Sequence, residues 1–262
     1  MPSYNSQTYI NEAINSAVKE MSDFDELLVQ DGQSTDETLS LLAAYEAQYD
    51  QVQVESGPDK GQSDALNKAL MRATGDYVVW LNSDDVLLPG SLAALRAHIE
   101  KSDNMPSLVF GGHQVLRADG SVIGSYMPPR LERHKLMLRG CYVFSGSVAI
   151  SRSLLLESGG FANQFDYCMD LDLFFRLLDK SADSPLNVPE YIGALRWHDE
   201  SKSGDAGYRF VGDGWKVRGM YARSSFDHVA RIGAALVQSF ALFATPVRHS
   251  VLYSKLRGKV RK

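Results

Sequence analysis

Two carboxylates stand side by side, Asp84 and Asp85, directly after the apolar run Tyr77–Leu81 and the pair Asn82-Ser83. Adjacent carboxylates at the end of a buried strand repel one another and lose hydration, so they need a cation or a set of hydrogen-bond donors. A divalent metal, Mn²⁺ or Mg²⁺, meets that need, because such ions prefer oxygen and are often held by one or two carboxylates plus substrate phosphates. A diphosphate would then supply the missing ligands. The competing reading is capping of the next helix, since aspartate is favoured at N-caps and Pro89-Gly90 is a loop signal. Asp31 ends a second apolar run, Leu27–Val29, in a similar way. In open parallel sheets ligands bind beyond the carboxyl ends of the strands, where both acidic clusters fall.

Those carboxylates must be positioned by strands that cross over through helices. After Leu27–Val29, Ser34-Thr35-Asp36-Glu37 reads as a capping box opening a helix through Tyr49. Val52–Val54 is a further short strand, and Ala65, Leu66, Ala69, Leu70 and Ala73 share one face of a helix stopped by Gly75. Leu92, Leu95 and Ile99 mark the helix beyond Pro89-Gly90. Leu108–Phe110 and Val115–Leu116 face Val122–Ile123 across the turn Ala118–Ser121. A strand at Ser147–Ile150 and a helix over Asp170–Leu178 follow, and the chain reads as helical after Tyr208. The expectation is an α/β fold with a mostly parallel sheet flanked by helices over 1–207, and a helical segment with a basic tail over 208–262.

A length of 262 residues allows one principal core. The net charge of -5 argues against a general nucleic-acid binder, which needs a basic face for phosphates. Cys141 and Cys168 lack zinc-site spacing and do not form a disulfide framework. With no apolar run of membrane-spanning length and no leader pattern, a cytoplasmic protein is expected.

Four segments in order, Pro2-Ser3-Tyr4-Asn5, Val29–Asp36, Gly61–Lys68 and Trp80–Asp85, resemble glycosyltransferase family two. The resemblance implies a GT-A fold that takes a nucleotide diphosphate sugar and moves the sugar to an acceptor hydroxyl in surface polysaccharide or glycolipid synthesis. It implies that Pro2 lies in the nucleotide site, that Tyr4 and Asp31 contact the nucleobase, that Asp84 contacts the ribose and that Asp85 ligates the metal. Lys60 and Asp64 would sit near the donor. Gly159-Gly160-Phe161 and Met169–Leu173 are similar to the family's acceptor-side segment, and suggest Asp170 as the catalytic base. His198 matches a late histidine that relatives place near the metal or diphosphate, with a structural hydrogen bond as its alternative; Lys202 is a candidate partner for the diphosphate. Asp172 reads instead as a structural partner of Arg176 four residues on.

The chain departs from that pattern in two places. Where relatives carry an apolar strand before the first motif it has only Met1, which suggests a missing sheet strand and a longer native chain; Met169 stands where the family more often has Glu. Val229, Ile232, Leu236, Phe240 and Phe243 fall on one side of a helix ahead of a basic tail. That stripe either packs on the catalytic domain or rests on an anionic membrane face. Two other classes compete: a sugar nucleotidyltransferase, which lacks its glycine-rich phosphate loop here, and a non-catalytic nucleotide- or glycan-binding protein of the same fold. No G-x-G-x-x-G follows a strand, which counts against a dinucleotide dehydrogenase.

Overall fold

Short apolar runs separated by helices of one buried face build the N-terminal half. The computed structural model describes residues 1–198 and 207–248. Strand β1 (Pro2–Ser3) pairs in parallel with β2 (Leu27–Asp31), and β2 pairs in parallel with β3 (Val52–Ser56). The first two residues of the Pro2–Asn5 motif thus form a short strand beside β2. Met1 joins it: the buried amino group donates to Leu28 O at 2.6 Å, and Gln30 N donates to Met1 O at 2.9 Å. Helix α1 (Ile10–Glu20) buries Ile10, Ala13, Ile14 and Ala17, the spacing of a single apolar stripe.

Helix α2 (Thr38–Gln48) starts later than the capping box suggests. Ser34 is not available as its cap because its hydroxyl donates to Asp31, and Asp36 Oδ1 accepts from Thr38 N at 3.0 Å instead. Helix α3 (Gln62–Arg72) buries Ala65, Leu66, Ala69 and Leu70, as the periodicity indicates.

The parallel pattern gives way beyond β4 (Tyr77–Val79) and β5 (Val86–Leu87). After α4 (Ser91–Glu100), β6 (Leu108–Arg117) and β7 (Val122–Tyr126) form the expected hairpin. Helix α5 (Arg133–Arg139), β8 (Val148–Ser151), α6 (Arg152–Glu157), α7 (Met169–Lys180) and β9 (Leu186–Trp197) follow. The second sheet runs β4-β8-β6-β9-β5 with β7 on β6; only β6 and β9 are parallel neighbours within it. The architecture is thus mixed α/β, with the parallel part confined largely to the first three strands.

Helices α8 (Gly207–Tyr221) and α9 (Ser225–Arg248) close the described chain. Val217 and Ala230 join the same core as Leu108, Phe110, Phe174 and Phe175. Among the positions of α9 whose side chains are described, Ala230 and Ala234 are buried, whereas Val229, Ile232 and Leu236 are exposed. The packed-stripe reading is thereby corrected for those three residues: small side chains face the domain and large ones face outward. Among the described residues no helix is long and apolar enough to cross a membrane. Lys202 and the basic tail lie outside the described residues, as do the side chains of Phe240 and Phe243.

Candidate active site

The link from β4 to β5 carries the paired carboxylates, and they differ in burial and in partners. Asp85 is buried; its Oδ1 accepts from Arg196 N and its Oδ2 from Asn82 Nδ2, each at 2.9 Å. Burial, then the neighbouring Asp84 charge, pushes the Asp85 carboxyl up to about 8. Arg196, on β9 and equally buried, donates from Nε to Asp84 O at 3.0 Å and pairs with Glu12 at 2.6 Å. Its guanidinium also lies over the Tyr9 ring, 4.9 Å from the centroid. Strand β9 therefore holds the turn through Arg196, whose backbone amide fixes the Asp85 side chain and whose guanidinium fixes the Asp84 carbonyl.

Asp84 is the open member of the pair, with its side chain 31% exposed and its Oδ2 3.1 Å from His198 Nε2. His198 follows directly on β9, and Tyr9 packs on its ring at 4.7 Å between centroids. Asn82 is steadied by Trp80 Nε1 and Gln62 Nε2, both donating to its Oδ1 at 2.7 Å.

A cleft of about 1070 Å³ runs along this turn, and Pro2, Tyr4, Asp84, Asp85 and Asp170 all line it. Asp170 lies in the first turn of α7 and its Oδ1 accepts from Leu171 N at 2.7 Å. Two thiols flank it. Burial, then the Asp170 charge, raises Cys141 well above the ordinary thiol range, and the same causes in the same order raise Cys168.

Other expected donor residues are turned elsewhere. Asp31 is fully buried and accepts from Ser34 N at 2.8 Å, from the Ser34 hydroxyl and from Ser56 Oγ at 3.0 Å. Its carboxylate shapes the turn, and it is the next residue, Gly32, that lines the cleft. Lys60 and Asp64 do not line it. Asp64 Oδ2 accepts from Lys60 N and pairs with Lys68, both at 3.1 Å; hydrogen bonds from Lys68 and then from that backbone amide hold Asp64 below the usual carboxylate range. It acts as a start signal for α3.

Asp59 escaped notice in the sequence. Its Oδ1 accepts from Gly61 N at 2.8 Å, and its Oδ2 would lie 2.7 Å from a Cβ placed on Gly32, with the exposed Tyr4 ring on the other side. The signal was the loop itself, Gly57-Pro58-Asp59 just past the carboxyl end of β3. Asp172 behaves as its spacing indicates, pairing with Arg176 at 2.8 Å and accepting from Tyr221 Oη at 2.8 Å. The glycine motif also has a packing reason. Gly160 has φ +65, a Cβ there would meet Asn67 Oδ1 at 2.5 Å, and Asn67 bonds Phe161 through both N and O.

An E. coli protein described as UDP-Glc:alpha-D-GlcNAc-diphosphoundecaprenol beta-1,3-glucosyltransferase WfgD is 26% identical over 230 residues, covering 87% of this chain and 87% of its own. An uncharacterized glycosyltransferase of Rickettsia felis is 28% identical over 213 residues, 78% of this chain; the chain spans only 34% of that relative's length. Among solved structures, S. aureus TarS in complex with UDP-GlcNAc matches with a TM-score of 0.67 at 18% identity, covering 97% of this chain and 76% of that one. The mannosyltransferase PcManGT from Pyrobaculum calidifontis, in complex with GDP-Man and Mn2+, gives 0.60 at 17% identity, over 98% and 77%. Likeness at these identities establishes the GT-A fold. A model described as Glycosyl transferase family 2 matches residues 1–157, more than half of the chain, and the protein belongs to that family.

Proposed function

We propose that this protein transfers a sugar from a nucleoside diphosphate sugar to a hydroxyl of a glycan or lipid-linked acceptor, with inversion at the anomeric carbon. The observation that carries it is the presence in one cleft of the partly exposed Asp84, beside His198, and of Asp170 on α7. Relatives named as a glucosyltransferase and as chondroitin and hyaluronan synthases support the acceptor class.

The residues fit a divalent cation, in a form that differs from the expected one. Cis ligands about 2.1 Å from a metal are separated by about 3 Å, which matches the 3.1 Å between Asp84 Oδ2 and His198 Nε2. Asp84 and His198 are therefore the ligands we assign, in place of Asp85, whose oxygens already accept two hydrogen bonds. A cation bound there supplies positive charge where the leaving diphosphate gathers negative charge. Tyr4 stacks on the nucleobase, Asp59 accepts from its edge, and the Pro2 segment borders the same pocket. Asp170 takes the proton of the acceptor hydroxyl as that oxygen attacks, a role worth about 10²–10⁴-fold. With base and leaving group on opposite faces of the sugar, one displacement inverts the centre.

The exposed stripe of α9 favours work at the inner face of a membrane, where lipid-linked acceptors reside. The test is a screen of nucleotide sugars with Mn²⁺ or Mg²⁺ that reads nucleoside diphosphate release, followed by NMR of an early product. Retained anomeric configuration, or release that is indifferent to chelation of metal, removes the corresponding part of the reading.

A further inference from the structure

Arg218 is the least explained charge in the molecule. It sits on α8, 1% exposed, and borders the cleft on the Asp170 side, beside Cys168. Its Nη1 reaches only Gln238 Oε1, at 3.5 Å, while Nε and Nη2 have no partner among the described residues. Those two nitrogens form one edge of the guanidinium, the edge that grips a phosphate or carboxylate with two parallel hydrogen bonds. A buried guanidinium without an anion is costly, so an unpartnered edge on a residue that lines a cleft points to a ligand.

Two glycines let the guanidinium sit where it does, because a side chain at either position would collide with it. A Cβ on Gly140 would lie 2.8 Å from Nη2, and one on Gly214 would lie 2.9 Å from Nη1. Gly140 also has φ +82, a conformation that other residues rarely adopt. Arg139, next to it, lines the same cleft and is exposed, so a second guanidinium stands at the rim. Two cations suit a group with more than two oxygens better than they suit a carboxylate.

We infer that Arg218, with Arg139 at the rim, forms an anion subsite that receives a phosphate or diphosphate group carried by the acceptor. The assignment to the acceptor rests on the sugar-transfer reading, in which Asp170 marks the acceptor side; the anion site itself does not. Its chemistry serves a soluble sugar phosphate and a lipid-linked one alike.

Calorimetry on the full chain separates these sources. UDP with Mg²⁺ is titrated first, and its binding reports on the donor reading alone. Inorganic phosphate and decyl phosphate are then titrated into the UDP-saturated protein, or into the free protein if UDP does not bind. The expected result is saturable binding that weakens at least 10-fold in Arg218→Met and partly returns in Arg218→Lys, with UDP affinity unchanged. Binding of both probes supports a soluble phosphate source; binding of decyl phosphate alone supports a lipid-linked one. Gly214→Ala, which keeps the charge but crowds Nη1, is expected to weaken phosphate binding as well and covers the case of an Arg218 variant that does not fold. Equal affinity in wild type and both substituted positions, or loss of phosphate binding once UDP saturates the protein, overturns the subsite.

Discussion

His198 Nε2 lies 3.1 Å from Asp84 Oδ2, whereas Asp85, one residue further, turns inward to the backbone amide of Arg196. The two aspartates therefore fail in different ways when removed. Asp84→Ala is expected to abolish metal-stimulated nucleoside diphosphate release, by 100-fold or more, while leaving thermal unfolding nearly unchanged, because its side chain is partly solvated. Asp85→Ala is expected to destabilise by about 1–3 kcal/mol, since it leaves the buried Arg196 backbone amide and the Asn82 side chain without their acceptor. Denaturant unfolding and turnover, measured on both, distinguish them; an unaltered fold with no activity in Asp85→Ala would return the metal to that residue.

Asp170, the base of the proposed reaction, and Asp172, which pairs with Arg176, share the first turn of α7. Asp170→Asn keeps the shape and loses the base, so turnover drops about 10²–10⁴-fold with donor affinity unchanged. Asp172→Ala leaves Arg176 without its carboxylate partner and breaks the tie to Tyr221, which costs about 3–5 kcal/mol. Activity that survives in Asp170→Asn, read by single-turnover sugar transfer, removes it as base.

The strand ends and the helix periodicities were legible because each depends on a local rule: Ala65, Leu66, Ala69 and Leu70 show a buried face by spacing alone. Which carboxylate stays partly solvated in the cleft was not legible. Asp84 and Asp85 are chemically identical neighbours, and Asp85 is tied down by the Arg196 backbone amide, more than a hundred positions away on β9. The surroundings of Asp31 were hidden for a related reason: its position at a strand end is as expected, while the donors on its oxygens, Ser34 and Ser56, follow from the folded loop and strand. The second sheet shows the same limit, since the parallel pairing of β6 with β9 follows from long-range contact and not from any local pattern.

Asp59 and Tyr4 frame Gly32, and in the proposed reaction they hold the nucleobase, so their removal is expected to affect binding before chemistry. Asp59→Ala and Tyr4→Ala are each expected to raise the donor KM about 10-fold with kcat within a factor of a few, the mark of lost uniform binding. A fall in kcat with KM unchanged would move the pair out of the nucleobase pocket.

Cys141 offers a chemical readout of the Asp170 charge. Burial raises the thiol first and the carboxylate adds to it, so thiolate is scarce at neutral pH and alkylation is slow. Neutralising the carboxylate in Asp170→Asn lowers the thiol toward the value set by burial alone. The rate of iodoacetamide labelling at Cys141, followed by peptide mass spectrometry from pH 7 to 10, is expected to rise in that variant and to begin its rise at lower pH. Identical profiles would show that the two groups do not share an electrostatic environment.

Val229, Ile232 and Leu236 point away from the core while Ala230 and Ala234 pack toward it, an arrangement with the larger side chains on the wet side. In water, each exposed aliphatic side chain forgoes about 1.5–3 kcal/mol of burial, so a surface that accepts three of them gains several kcal/mol against the entropy of attachment. Contact with lipid would recover that energy. Replacing all three with serine in the full chain is expected to lower co-sedimentation with anionic liposomes about 10-fold or more and to leave the unfolding midpoint unchanged, because none of the three is buried. Equal co-sedimentation in the two proteins would detach α9 from the membrane and leave lipid-linked acceptors to reach the cleft by another route.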